Sequence, residues 1–274
     1  MPICNPPKTY ARYGTLAAIL LLLNTSTALT AEPQKSDPKA LQFLDEVVKA
    51  YQSLPVYADH GEFVSVIEVD GKPKTDKSPV AITLVRPNKV NVLTVVARLI
   101  SDGKTLTTVT MPMKTFESQP APKAIGFDTL FTAGPVGSAL FGGPGGPMMS
   151  AVAHLLVGEN PSASVRELGE TITLGQDREI DGKTGRVLTF SSASGHGYNV
   201  LIDSETKLVR SIELVFDSAK VQSAFSEGAK IKVVSFSWNA GAVATQPPAD
   251  TTFAFEAPKD YRKLEGIAEK QPKD

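Results

Sequence analysis

RPNKVNVLTVVARLISDGKTL, residues 86–106, is the stretch on which the fold turns. It opens on Arg86-Pro87-Asn88, continues as a strand-like run of branched apolar residues, and closes on Ser101-Asp102-Gly103-Lys104-Thr105-Leu106. A proline withdraws a ladder donor, and Asp-Gly supplies the backbone freedom of a tight turn. The flanks on both sides alternate apolar and polar residues. RPN and SDGKTL therefore read as punctuation between strands of an antiparallel sheet.

Outward from this stretch the same two-residue period continues. Phe63 to Asp70, Val80 to Arg86, Lys89 to Val96 and Lys104 to Thr110 are rich in Val, Ile and Thr, with Asp70-Gly71 and Asp102-Gly103 as turn signals. The C-terminal half repeats the style in Ser164 to Leu168, Thr171 to Leu174, Gly185 to Ser191, Tyr198 to Asp203, Leu208 to Phe216, Ile231 to Trp238 and Thr251 to Glu256. Before them stands one helix: Asp37 is its N-cap, Pro38 its first position, and Leu41, Leu44, Val47, Val48 and Tyr51 its apolar stripe up to Pro55.

About eleven strands in successive hairpins behind a single helix argue for one large antiparallel sheet in a mainly β, α+β chain. A sheet of that size curls. About eight strands make a barrel that side chains just fill, so an unclosed, strongly curved barrel of about eleven leaves a concave face able to take a ligand. That concavity would be lost if the strands split into two packed sheets.

Composition bounds the function. The chain has 274 residues, 42% hydrophobic and 21% charged, enough for a real core in one domain. Its net charge of -1 comes from interspersed charges, which excludes an electrostatic footprint for nucleic acid. Lys8 and Arg12, the apolar run Leu16 to Leu23 and Ser26-Thr27-Ala28, with Ala31 as a second cleavage candidate, predict a signal peptide over residues 1–31. The run is too short for a membrane span of about 20 residues. Cys4 precedes it, so the mature chain, residues 32–274, carries no thiol and no lipidated cysteine. The expected location is the periplasm, without a lipid anchor.

Residues 120–161 break the sheet pattern. Phe127, Leu130, Phe131, Leu140 and Phe141 precede the glycine-proline run Gly142 to Met149, and a helix is predicted up to Val157. Glycine and proline at this density argue against regular structure, while the aromatics and Met148-Met149 are too apolar for a solvated linker. The segment is read as a mobile lid on the concave face or as a loop whose aromatics plug the core. Residues 259–274 form a polar tail.

With the strands in place, Arg86-Pro87-Asn88, then Ser101 to Leu106, then Trp238-Asn239 with Phe253, Phe255 and Pro258 resemble, in order, the landmarks of the LolA-like periplasmic lipoprotein carriers. Tyr198 to Arg210 resembles a stretch common in uncharacterised periplasmic members of that group, and the resemblance covers nearly all of the mature chain. It implies a half-barrel covered by helices, binding acyl chains of lipoproteins or lipids between sheet and lid. It also implies that Arg86 holds the lid by hydrogen bonds. Five donors in a rigid fork suit that task; the residues alone allow a plain strand-end arginine with its head in water.

The candidate ligand-binding residues are Phe63, Val80, Ile82, Leu84 and Val92 on the sheet, with Phe127, Leu130, Phe131, Phe141, Met148 and Met149 on the lid. A one-residue slip would turn every strand candidate outward. The strand after RPN lacks the aromatics of many carriers and the glycine-proline lid is longer, so the expectation is hydrophobic ligand binding in general.

Enzyme readings find little support. Gly103-Lys104-Thr105 and Gly182-Lys183-Thr184 imitate a phosphate loop, but the required upstream glycines are Arg98 and Asp177, so both read as hairpin turns. His60, His154 and His196 form no zinc or nucleophile motif, and Gly195-His196-Gly197 reads as a hairpin tip. No catalytic residue, metal or cofactor is expected, and the chain is expected to be a monomer. The alternative function, from another class, is a sensory or scaffolding module that docks an envelope membrane protein.

Overall fold

The computed structural model describes residues 35–143, 145–180, 182–217 and 231–264. The segment read as a signal peptide and residues 265–274 of the tail lie outside them. Helix α1 (Pro38–Ser53) begins as the sequence predicts: the Asp37 carboxylate accepts from the Lys39 amide at 2.8 Å, and Pro38 occupies the first turn. Ala40, Phe43, Leu44, Val47, Val48 and Tyr51 form its buried stripe.

Six antiparallel strands follow: β1 (Val56–Val69), β2 (Lys72–Val85), β3 (Lys89–Leu93), β4 (Ala97–Asp102), β5 (Thr105–Thr110) and β6 (Thr115–Pro120). Asp70 and Gly71 between β1 and β2 both have positive φ, 51° and 74°, the signature of a type I′ hairpin. Four helices come next: α2 (Phe127–Phe131), α3 (Pro135–Phe141), α4 (Gly146–Val157) and α5 (Pro161–Arg166). The second half adds β7 (Thr171–Leu174), β8 (Arg178–Ile180), β9 (Lys183–Ser191), β10 (Gly197–Asp203), β11 (Val209–Val215) and β12 (Ile231–Asn239). A 3-10 turn at Asp250–Phe253 and the short β13 (Arg262–Lys263) close the described chain.

All thirteen strands among the described residues join one sheet, ordered β13-β6-β5-β4-β3-β2-β1-β12-β11-β10-β9-β7, with β8 paired to β9. Its two ends do not meet, so the curved sheet is an unclosed barrel. The long β1 joins the halves, pairing with β2 on one side and β12 on the other. The helices cover the inner face: α1 packs on β7, α4 and α5, and α3 packs on β4 and β5.

The structure corrects several local expectations. The run Lys89 to Val96 is not one strand; β3 ends at Leu93 and the chain turns back, closed by the Thr94 hydroxyl, which accepts from the Ala97 amide at 3.0 Å. Ser164 to Leu168 is not a strand; most of it lies in α5, where the Asn160 side chain caps Ala163 and Pro161 starts the helix. Thr251 to Glu256 begins in the 3-10 turn rather than a strand. Strands β4, β6, β8 and β13 were not expected.

The glycine-proline segment holds regular structure after all. Pro135, Pro147 and Pro161 stand in the first two positions of α3, α4 and α5, where a missing amide costs nothing. Helix α4 has only Ser150 and His154 as polar side chains and eight of its twelve residues are buried, so it is core rather than surface.

Candidate functional site

Register places the sheet candidates on the helix-covered face. Val80, Ile82 and Leu84 of β2 stand opposite Gly61, Asp59 and Tyr57 of β1, and Ile82 also opposes Val92 of β3. These four apolar residues are buried in the main core, together with Leu130, Met148 and Met149 from the helices. Met148 and Met149 are 0% and 1% exposed, so the helical cover fills the space beneath it with its own side chains. Of the eleven residues singled out in the sequence, seven are therefore core.

The other four gather at the rim. Phe127, Phe131 and Phe141 form a triangle with ring centroids 5.3–5.8 Å apart. The His154 ring of α4 stacks on Phe127 at 3.8 Å, and burial lowers its pKa below the usual value. Phe131 is 57% exposed, while Phe127 and Phe141 are half-buried. On the sheet, Phe63 stacks with Phe236 of β12 at 6.2 Å. A side chain at Gly145 would meet the Phe63 ring at 2.5 Å, so the backbone just before α4 lies directly on that ring. The cover thus carries one aromatic cluster and the sheet another, the second lying against the start of α4.

Arg86 ties the cover to the sheet. Its Nε donates to the Leu54 carbonyl at 2.9 Å, and its Nη2 donates to Tyr51 at 3.3 Å and to Leu156 at 2.5 Å. Tyr51 and Leu54 lie at the C-terminal end of α1, and Leu156 at that of α4. One guanidinium thus meets carbonyls at the negative dipole ends of two helices.

Beneath α1 lies a polar network that the sequence reading missed. The Tyr57 hydroxyl donates to Asp59 Oδ2 at 2.5 Å, and the Gly61 amide donates to Oδ1 at 3.0 Å. The Tyr51 hydroxyl accepts from the Val209 amide at 3.1 Å, and the Tyr51 and Tyr57 rings lie 5.8 Å apart. Asp59 is 0% exposed, and burial raises its carboxyl to about 6 against the pull of its two donors. Trp238 Nε1 is buried without a hydrogen-bond partner among the described residues. A signal was present: Tyr57, Asp59, Gly61 and Phe63 share one face at two-residue spacing, which puts a carboxylate in line with lining residues.

The enzyme-like fragments keep their turn reading at the Asp102 hairpin. There the Asp102 carboxylate accepts from the Lys104 and Thr105 amides, and Gly103 has φ 93°. His196 does lie at the β9–β10 hairpin tip, where its Nδ1 bonds the neighbouring Ser194 hydroxyl. No group of three His, Cys, Asp or Glu among the described residues could hold a metal ion.

No family model matches the chain, and no curated protein matches it. Solved structures do. An uncharacterized conserved protein from Thermus thermophilus aligns with a TM-score of 0.42 and 8% identity over 82% of this chain and 98% of that one. The Pseudomonas aeruginosa MucA/MucB complex aligns with a TM-score of 0.34 and 14% identity, over 79% of this chain and 61% of that one. A LolA superfamily protein from Nitrosomonas europaea aligns with a TM-score of 0.28 and 10% identity over 79% and 97%. These alignments share little sequence with the chain.

Proposed function

We propose that this protein is a non-catalytic periplasmic binder of a hydrophobic ligand, an acyl chain of a lipid or lipoprotein. The supporting observation is the aromatic rim. Phe131 remains 57% exposed on a cover whose other large side chains are mostly packed away. An exposed aromatic packed with the half-buried Phe127 and Phe141 is what an apolar ligand needs at its point of entry. A chain seated there gains about 0.8 kcal/mol per buried methylene. Residues 120–161 act as the cover of a single domain, residues 32–274, and Arg86 holds it.

Deeper entry requires α4 to lift from the inner face, because Met148 and Met149 occupy it. That filled interior favours a second reading, in which the fold docks an envelope protein and carries no lipid. Titration with a fluorescent fatty acid separates the two. Binding that is weakened about tenfold or more by Phe131→Glu, with the melting temperature nearly unchanged, supports the binder. An unmodified protein that takes up no fatty acid and copurifies without lipid in native mass spectrometry refutes it.

A further inference from the structure

Helix α2 is a wall with two sides. Phe127 and Phe131 belong to the aromatic rim, whereas Asp128, Thr129 and Thr132 line a separate cleft of about 780 Å³. The far wall of that cleft is the inner face of β5 and β6. Thr108 opposes Glu117, and Leu106 opposes Gln119, so these side chains project together. Leu106 is also part of the buried core, so the cleft runs from solvent down to the apolar interior.

The lining has one sign of charge. Among the described residues it holds two carboxylates, Glu117 and Asp128, with threonine and serine hydroxyls and the Gln119 amide, and no lysine or arginine. The side chains of Thr108, Glu117 and Gln119 make no hydrogen bond or ion pair among the described residues. Their capacity to accept is open to a ligand. We propose that this cleft binds a primary ammonium group.

An ammonium carries three donors and no acceptor, so it matches hydroxyl, amide and carboxylate oxygens converging on a cleft. A carboxylate or phosphate would meet two like charges and, among the described lining residues, no cation. The walls also concentrate the field of the two carboxylates, which raises the local concentration of cations. The inference goes beyond the hydrophobic reading and holds whether or not a tail rests on the rim. An amine-bearing lipid headgroup and a soluble polyamine present the same chemistry here.

Amide chemical shifts of the labelled whole protein in low salt, titrated with spermidine, dodecylamine or dodecanoate, test this. Both amines should move the Thr108, Glu117, Gln119 and Thr132 signals, and dodecanoate should leave them still. Because Glu117 and Asp128 are exposed, the double variant Glu117→Gln, Asp128→Asn should fold normally. It should bind both amines about tenfold more weakly, with no change toward dodecanoate. Spermidine binding as tight as that of dodecylamine assigns a soluble amine; dodecylamine binding about tenfold tighter assigns a lipid amine. Amines that leave these signals unmoved, dodecanoate that moves them equally, or a double variant with unaltered amine affinity would overturn the inference. Dodecanoate moving the Phe131 region while the cleft stays silent to amines keeps the hydrophobic reading and removes this one. Spermidine in the cleft with no dodecanoate bound anywhere does the reverse.

Discussion

Asp59 is a carboxyl without solvent contact, held by one hydroxyl and one amide on a face otherwise made of apolar and aromatic side chains. Burial wins over those two hydrogen bonds and moves it from 3.8 to about 6. The folded protein therefore binds this proton more tightly than the unfolded chain does. The resulting stability is complete below about pH 4 and is lost as the pH rises through about 6, a change of about 3 kcal/mol. Denaturant unfolding across that range should show this slope, and Asp59→Asn should flatten it. An identical slope in the variant would place the titration elsewhere. Single residues were unequally legible: Phe127, Phe131 and Phe141 announce themselves as aromatics in a glycine-proline run. Asp59 and His154 do not, because their surroundings come from elements far apart in sequence.

Among the elements, the four covering helices follow local rules, and one long-range clamp is proposed for them. Three of them start on prolines that could have been read from the sequence, since Pro135, Pro147 and Pro161 each precede several residues without a further proline. Density of glycine and proline obscured that position-specific meaning. The proposed clamp is Arg86, which bonds both Leu156 at the end of α4 and Tyr51 near that of α1. Arg86→Leu removes a charged donor from three carbonyls. Hydrogen exchange in the last turn of α4 should accelerate about tenfold or more, with α1 less affected because its stripe is buried. Equal protection in both proteins would show that packing alone holds the cover. The β3–β4 hairpin shows the opposite case: a threonine closes it, where neither glycine nor asparagine marks a turn.

For the molecule as a whole, β1 and β12 are the seam between two meanders, and the core crosses it. Trp238 of β12, the single tryptophan, is 0% exposed and shares one core cluster with Leu99 of β4 and Phe190 of β9. A common core predicts one cooperative transition. Trp238 fluorescence and far-ultraviolet circular dichroism should give coincident unfolding curves. Separated midpoints would divide the two halves into independent units.

Two-residue periodicity, Asp-Gly turns and the leading amphipathic helix determined, without any structure, a large unclosed antiparallel sheet with an N-terminal helix. Those signals are local, each set by backbone sterics and by the alternation of side chains across a strand. Which apolar residues line a site and which simply fill the core was decided by tertiary structure alone. Met148 and Phe131 are alike in sequence terms, but one is fully buried and the other 57% exposed. The difference arises because α4 docks into the concave face and α2 stops at its rim. Such docking reflects how well whole surfaces pack and exclude water, a property that no single stretch of chain carries.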